Sequence, residues 1–137
     1  MNLTEFAERI KHLDYVVQRH WEGLPEKAGD DLDLFVSNAD YETLKIVASQ
    51  LEGIKVDIRQ PGDGYYPLFI GKDLLHSFDE YGGFKIPQPL AAWNALYYHN
   101  AVHKKDHPYD NDLRRQFLEF YPPVWPDDKG VGYYPNQ

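Results

Sequence analysis

The sequence has no cysteine, which removes disulfides, zinc–thiolate centres and a cysteine nucleophile from consideration. It has no apolar run approaching the roughly 20 residues that a membrane-spanning helix needs, so no span is expected. Positive charge is scarce: 14 Lys and Arg stand against 22 Asp and Glu, a formal net charge of −8. A partner of nucleic-acid backbones carries the opposite balance, so no nucleic acid is expected. The start, Met1-Asn2-Leu3-Thr4-Glu5, lacks the basic and apolar stretches of a secretory signal, and the expected location is cytoplasmic. No G-x-x-x-x-G-K-[ST] loop occurs, Gly62-Asp63-Gly64 and Gly82-Gly83 are too sparse to cradle a phosphate, and no internal repeat is visible. Ser37, Ser49 and Ser77 have no His and acid beside them in a nucleophile frame.

What the chain does have is a patterned first half and an aromatic second half. At 137 residues it is long enough for one core and one domain. The reading places that domain at 1–121, with a sheet core over about 1–80, a helical part over about 84–121, and a tail over 122–137. Leu3, Phe6, Ile10 and Leu13 recur at helical spacing, predicting a helix from about Thr4, its cap, to Lys11. Tyr15-Val16-Val17 is β-prone, and Gln18 to Glu22 forms its exit. Gly23 to Gly29 is a loop by composition. Ser37, Asn38 or Asp40 caps a helix carrying Leu44, Val47, Ala48 and Leu51, which Gly53 stops. Ile54 to Arg59 alternates as a strand with Ile54, Val56 and Ile58 inward. A turn at 61–64, a strand over Tyr65 to Ile70, a short helix over Lys72 to Phe78 and a break at Gly82-Gly83 follow.

Phe84 to Pro87 reads as extended, and Pro89 suits the first position of a helix running through Leu90, Trp93, Tyr97 and Ala101 to about His103. Asp110 or Asn111 caps a last helix through Leu113, Phe117 and Phe120. The tail from Pro122 is proline-rich and reads as irregular or partly disordered. The fold class is therefore α+β: a small mixed β-sheet with flanking helices and a C-terminal helical extension. His99, His103 and His107 are spaced four apart, which on one continuous helix would align three imidazoles for a metal. Pro108, however, biases His107 away from helical geometry.

The chemistry concentrates in Asp31-Leu32-Asp33-Leu34-Phe35-Val36. On a strand, Asp31 and Asp33 project to one face while Leu32, Leu34 and Val36 point to the other. Two adjacent carboxylates repel, and a hard divalent cation relieves that repulsion by taking their oxygens. An acidic turn before a strand is the alternative reading of the same residues. Asp57 adds a third acid on the following strand, with Arg59 on the same face.

Helix, strand, polar exit, D-x-D strand, helix and a strand bearing a third acid together resemble the nucleotidyltransferase fold of the polymerase-β type, over roughly residues 5–105. The stretch from Tyr15 to Pro25 and the helix end Tyr98-His99-Asn100-Ala101-Val102-His103-Lys104 also look similar to small nucleotidyltransferase-like proteins of bacterial polysaccharide loci. The resemblance implies Asp31, Asp33 and Asp57 as ligands of Mg²⁺ (or Mn²⁺), with Asp57 also helping to deprotonate the attacking hydroxyl. It implies transfer of a nucleoside monophosphate from a nucleoside triphosphate to a small-molecule or sugar hydroxyl, by a three-carboxylate, two-metal mechanism. That family's first strand usually ends in Gly-Ser, which grips the terminal phosphates; here the slot falls at Arg19-His20. Arg19, His20 and Arg59 are accordingly the expected phosphate contacts, an arginine fork standing in for a glycine turn. Trp93, Tyr97 and Tyr98 can stack on an acceptor, although Trp93 and Tyr97 also fall on the helix's apolar stripe and suit a core. Two other readings stay open: a catalytically silent binding or regulatory module of the same fold, and a glycosyltransferase whose D-x-D grips a sugar nucleotide.

Overall fold

The structure is a computed structural model and describes residues 1–120; the tail from Pro122 lies outside the described residues. The chain groups into two compact units, Met1–Ala92 and Trp93 onward. The boundary falls inside a helix, somewhat later than the change of character near residue 84. The class is α+β, as the pattern of apolar positions implies.

In the first unit, helix α1 (Leu3–Ile10) buries Leu3, Phe6, Ala7 and Ile10. Its cap is Asn2, two residues before the expected Thr4. The Asn2 side chain accepts from the Glu5 amide at 2.8 Å while the Glu5 carboxylate accepts from the Asn2 amide at 3.3 Å, a reciprocal pair that satisfies two orphan donors. Strands β1 (Tyr15–Val17), β2 (Leu32–Val36) and β3 (Val56–Arg59) form one sheet in the order β1-β2-β3. β1 runs antiparallel to β2, and β3 runs parallel to it, so the sheet is mixed. The parallel pair needs a crossover, supplied by a 3₁₀ turn at Asn38–Asp40 and helix α2 (Tyr41–Ala48). Asp40 caps no amide of α2; its carboxylate instead accepts from the Asp14 amide at 2.8 Å, tying the crossover to the entry of β1.

Alternation along β2 sorts its residues as expected. Leu32, Leu34 and Val36 join α1 and α2 in the main core. The opposite face is covered as well: Phe35 packs on Tyr66, ring centroids 5.8 Å apart, and under helix α3 (Leu68–His76). Every residue of β2 is therefore buried, Asp33 included.

The segment after the 61–64 turn departs from the sequence reading. No strand covers Tyr65 to Ile70; α3 begins at Leu68, with Pro67 as its N-cap. Proline fixes an extended φ and lacks an amide, so it starts the helix there. Ile70, Gly71 and Leu74 then face inward at helical spacing, leaving Leu68 and Phe69 exposed. Strand β4 (Phe78–Tyr81) starts at Phe78, which the sequence reading makes the end of a helix, covers residues 79–81, to which that reading gives no element, and pairs antiparallel with β5 (Phe84–Pro87). Gly82 and Gly83 both take positive φ, +58° and +84°, the backbone a two-residue hairpin turn requires. A side chain at Gly82 would also meet the Leu24 carbonyl at 2.6 Å.

Gly71 is the second glycine with a packing reason. A Cβ there would lie 2.8 Å from Phe35 Cζ, and Phe35 is only 1% exposed, so its ring has nowhere to go. Gly71→Ala is expected to destabilise by about 1–3 kcal/mol through overpacking; chemical denaturation reads it, and an unchanged midpoint would contradict this packing.

In the second unit, helix α4 (Pro89–Tyr98) continues as a π-turn at His99–His103, and α5 spans Asp110–Phe120. Trp93 is fully buried with Leu113 and Phe117, and its indole N–H donates to the Leu113 carbonyl at 2.8 Å. Tyr97 stacks on it at 5.3 Å. Of the two readings of Trp93, core is the one realised. His99 and His103 meet through their Nδ1 atoms at 2.9 Å, whereas His107 lies beyond the helical turn at φ +46°. The three imidazoles therefore share no continuous helix. Among the described residues, no helix is long and apolar enough to cross a membrane.

Candidate metal centre

Two neighbouring strands of the first unit build one acidic site. β2 carries Asp33, Asp31 immediately precedes it, and β3 carries Asp57. The parallel register places Asp33 directly beside Asp57, and the two-residue period returns Asp31 to the same face as Asp33. One carboxylate oxygen from each lies within 4.8 Å of the other two. The three aspartates converge in these distances, but Asp33 is also buried against the permanent charge of Arg19, a basic partner that the metal reading of the sequence requires to be absent.

Three carboxylate oxygens are the donor set of a hard divalent cation. Octahedral ligands about 2.1 Å from an ion lie about 3 Å from their neighbours, so oxygens now up to 4.8 Å apart would have to close on it. The chemistry of the three oxygens suits such an ion, while Arg19 competes with it for Asp33.

Two arginines share the site, in different ways. Arg19 is buried, and one of its terminal nitrogens lies 3.3 Å from Asp33 Oδ2. Its other terminal nitrogen donates to the Tyr66 hydroxyl at 2.7 Å and to Gln18 Oε1 at 3.1 Å, with the Tyr65 hydroxyl at 3.5 Å. The Tyr66 hydroxyl donates to the same Gln18 oxygen at 2.7 Å, and Gln18 Nε2 donates to the Leu34 carbonyl at 3.0 Å. The expected phosphate contact is thus turned inward to an aspartate. Arg59 is more open: its Nε lies 3.5 Å from Asp57 Oδ1, outside hydrogen-bond geometry, and its guanidinium lies over the Tyr65 ring at 4.2 Å. His20 is exposed, at φ +59°. Gln18, Tyr65 and Tyr66 were not singled out in the sequence. The signal for the tyrosines was their place directly after the turn that follows β3, obscured by reading them as a strand.

The electrostatics follow from burial. Removal from water pushes the Asp33 carboxyl above the ordinary range; Arg19 opposes this, Asp31 and Asp57 reinforce it, and the neighbouring His20 opposes it. For Arg19, burial works against the charge, but Tyr66, Tyr65 and Asp33 more than offset it and hold its pKa above the usual value. Burial likewise raises Tyr66 and Tyr65, with Arg19 acting against it.

The raised Asp33 pKa has a testable sign. Above the ordinary carboxylate value of 3.8, the folded chain holds this proton longer than the unfolded chain. The contribution of Asp33 to stability is therefore greatest at low pH and is lost as pH rises through its folded-state pKa. Thermal unfolding without added metal, compared between wild type and Asp33→Asn, should show a difference that grows in favour of Asn across that window. A difference with the opposite slope would show that Arg19 outweighs desolvation.

The chain matches no protein-family model, no curated protein and no solved structure.

Proposed function

We propose that this protein is a metal-dependent nucleotidyltransferase, moving a nucleoside monophosphate from a nucleoside triphosphate to a hydroxyl of a small-molecule or sugar acceptor and releasing pyrophosphate. The observation that carries the reading is the convergence of Asp31, Asp33 and Asp57 within 4.8 Å. Asp31 and Asp33 would hold Mg²⁺ or Mn²⁺ from β2 and Asp57 from β3. When bound, the ion supplies charge stabilisation and a template for in-line displacement at phosphorus. Asp57, with its side chain 36% exposed, is the acid that an incoming hydroxyl can reach, and it accepts the proton. Arg59, beside it and open to solvent, meets phosphate negative charge.

A second reading has its own observation. Arg19-His20 stands where the resembled family has Gly-Ser, and Arg19 is committed to Asp33 at 3.3 Å. That arrangement favours a silent binding or regulatory module of the same fold. Labelled triphosphate with Mg²⁺ or Mn²⁺ separates the two: turnover supports the transferase, and binding without turnover supports the module. Calorimetry with Mg²⁺ and ATP on wild type and on the Asp31→Asn, Asp33→Asn double variant tests the site itself. Heat in the wild type and none in the variant is expected, whereas equal heats would remove the metal centre.

A further inference from the structure

We propose that His99 and His103 form a proton-operated latch, which holds the start of α5 against the π-turn that ends α4 at neutral pH and releases it on acidification. The two rings meet through their Nδ1 atoms at 2.9 Å, with centroids 5.1 Å apart. A neutral imidazole carries one N–H and one bare nitrogen, so across that gap one Nδ1 donates and the other accepts. The gap holds a single proton, and the pair is neutral or carries one charge. Two imidazolium rings would point N–H at N–H and charge at charge, and the contact has to break. Nothing in the metal reading bears on this pair.

What the pair holds is set by what packs around it. His99 is buried, and the Tyr109 ring stacks on it at a centroid distance of 6.0 Å. The Tyr98 ring meets His103 edge-on at 5.3 Å. Asn100, buried next to His99, grips the start of α5 with both ends of its amide. Its Nδ2 donates to Asp110 Oδ1 at 2.7 Å, and its Oδ1 accepts from the Tyr109 amide at 2.8 Å. All three residues sit in the π-turn His99–His103, a rare backbone form that concentrates at functional positions. Driving the rings apart pulls on the Tyr109 stack and, one residue on, the Asn100 clamp. Beyond them α5 buries Leu113 and Phe117 against Trp93. Among the described residues, Tyr98 and Tyr109 face the rings, and the Asp110 carboxylate is engaged by Asn100. Lys104, Lys105, Asp106 and His107 are exposed on the connecting loop, where water and salt screen them. The sign follows: the released rings bind one proton more than the latched pair. Closure is therefore favoured above the ordinary histidine range, roughly 6.5, and weakens about tenfold per pH unit below it.

The test is amide hydrogen exchange of the full chain between about pH 7.5 and 5, corrected for the intrinsic pH dependence of exchange. In the wild type, protection of the α5 amides around Leu113 and Phe117 is expected to fall about tenfold per pH unit below roughly 6.5. His103→Gln is the discriminating variant. A glutamine amide turns either its oxygen to a protonated His99 or its N–H to a neutral one, so the contact survives at both ends of the range. Its α5 protection is expected to match the wild type at neutral pH and to stay within about threefold on acidification. Wild-type protection that is flat with pH overturns the proposal, as does an equal fall in His103→Gln. If His103→Gln does not fold, the imidazole nitrogens of the wild type followed by nuclear magnetic resonance decide. Two separate protonation steps, with α5 protection lost at the second, support the latch, and a single step shared by both rings overturns it.

Discussion

Arg19→Met is expected to lower the stability of the metal-free protein by about 3–5 kcal/mol, the cost of leaving a buried charge without its partner. The side chain is nearly inaccessible, and its loss leaves the buried Asp33 carboxylate without its cation, while the Tyr66 hydroxyl and Gln18 Oε1 keep their own bond. Methionine fills most of the arginine stem, so the effect is electrostatic rather than a cavity. Removing both charges is the control. Arg19→Met with Asp33→Leu should recover much of the loss, because a buried ion pair and an apolar pair of similar volume are often close in stability. Urea denaturation of the two single variants and the double variant gives the coupling directly. A loss below about 1 kcal/mol in Arg19→Met, the range of an exposed pair, would show that water reaches Asp33 freely.

Under the proposed function, Asp57→Asn is expected to reduce nucleotidyl transfer on the order of a thousandfold, since one substitution would remove both the proposed ligand and the proposed proton acceptor. Asp31→Asn separates the two roles. It removes a ligand but leaves Asp57 in place, so weak activity should return at high Mn²⁺, which Asp57→Asn should not allow. Without metal, Asp31→Asn should also raise stability by up to about 1 kcal/mol by relieving like-charge repulsion at a partly exposed position. Among the described residues Asp31 has no ion-pair partner to lose, unlike Asp33 and Asp57. Steady-state turnover of labelled triphosphate over a Mn²⁺ series checks the first expectation, and metal-free thermal unfolding the second. Equal recovery in both variants would mean that Asp57 is a ligand only.

Much of the site was legible because its signals are local. Strand alternation places Asp31 with Asp33, and it sets Leu32, Leu34 and Val36 against α1 and α2. A third acid on the next strand reaches the pair because a parallel neighbour in register sets Asp57 beside Asp33. What was missed depends on partners distant in sequence. Arg19 looks like a phosphate contact when only its slot after β1 is known. Its inward turn is decided by hydroxyls 46 and 47 residues away. β4 escaped because all four of its residues are exposed and no apolar alternation marks a strand paired on one edge. The start of α3 was hidden by aromatic, β-prone residues around Pro67, whose proline outweighed them.

The sequence by itself determined the α+β class, the pairing of apolar faces and the three acids, because side-chain period and charge are properties of neighbouring residues. Only the tertiary structure decided that Asp33 is buried and that a cation from the exit of β1, Arg19, already sits against it. Burial and long-range pairing are set by which elements cover a face, and here α3 and the Tyr65-Tyr66 turn close over the strand that carries the acids.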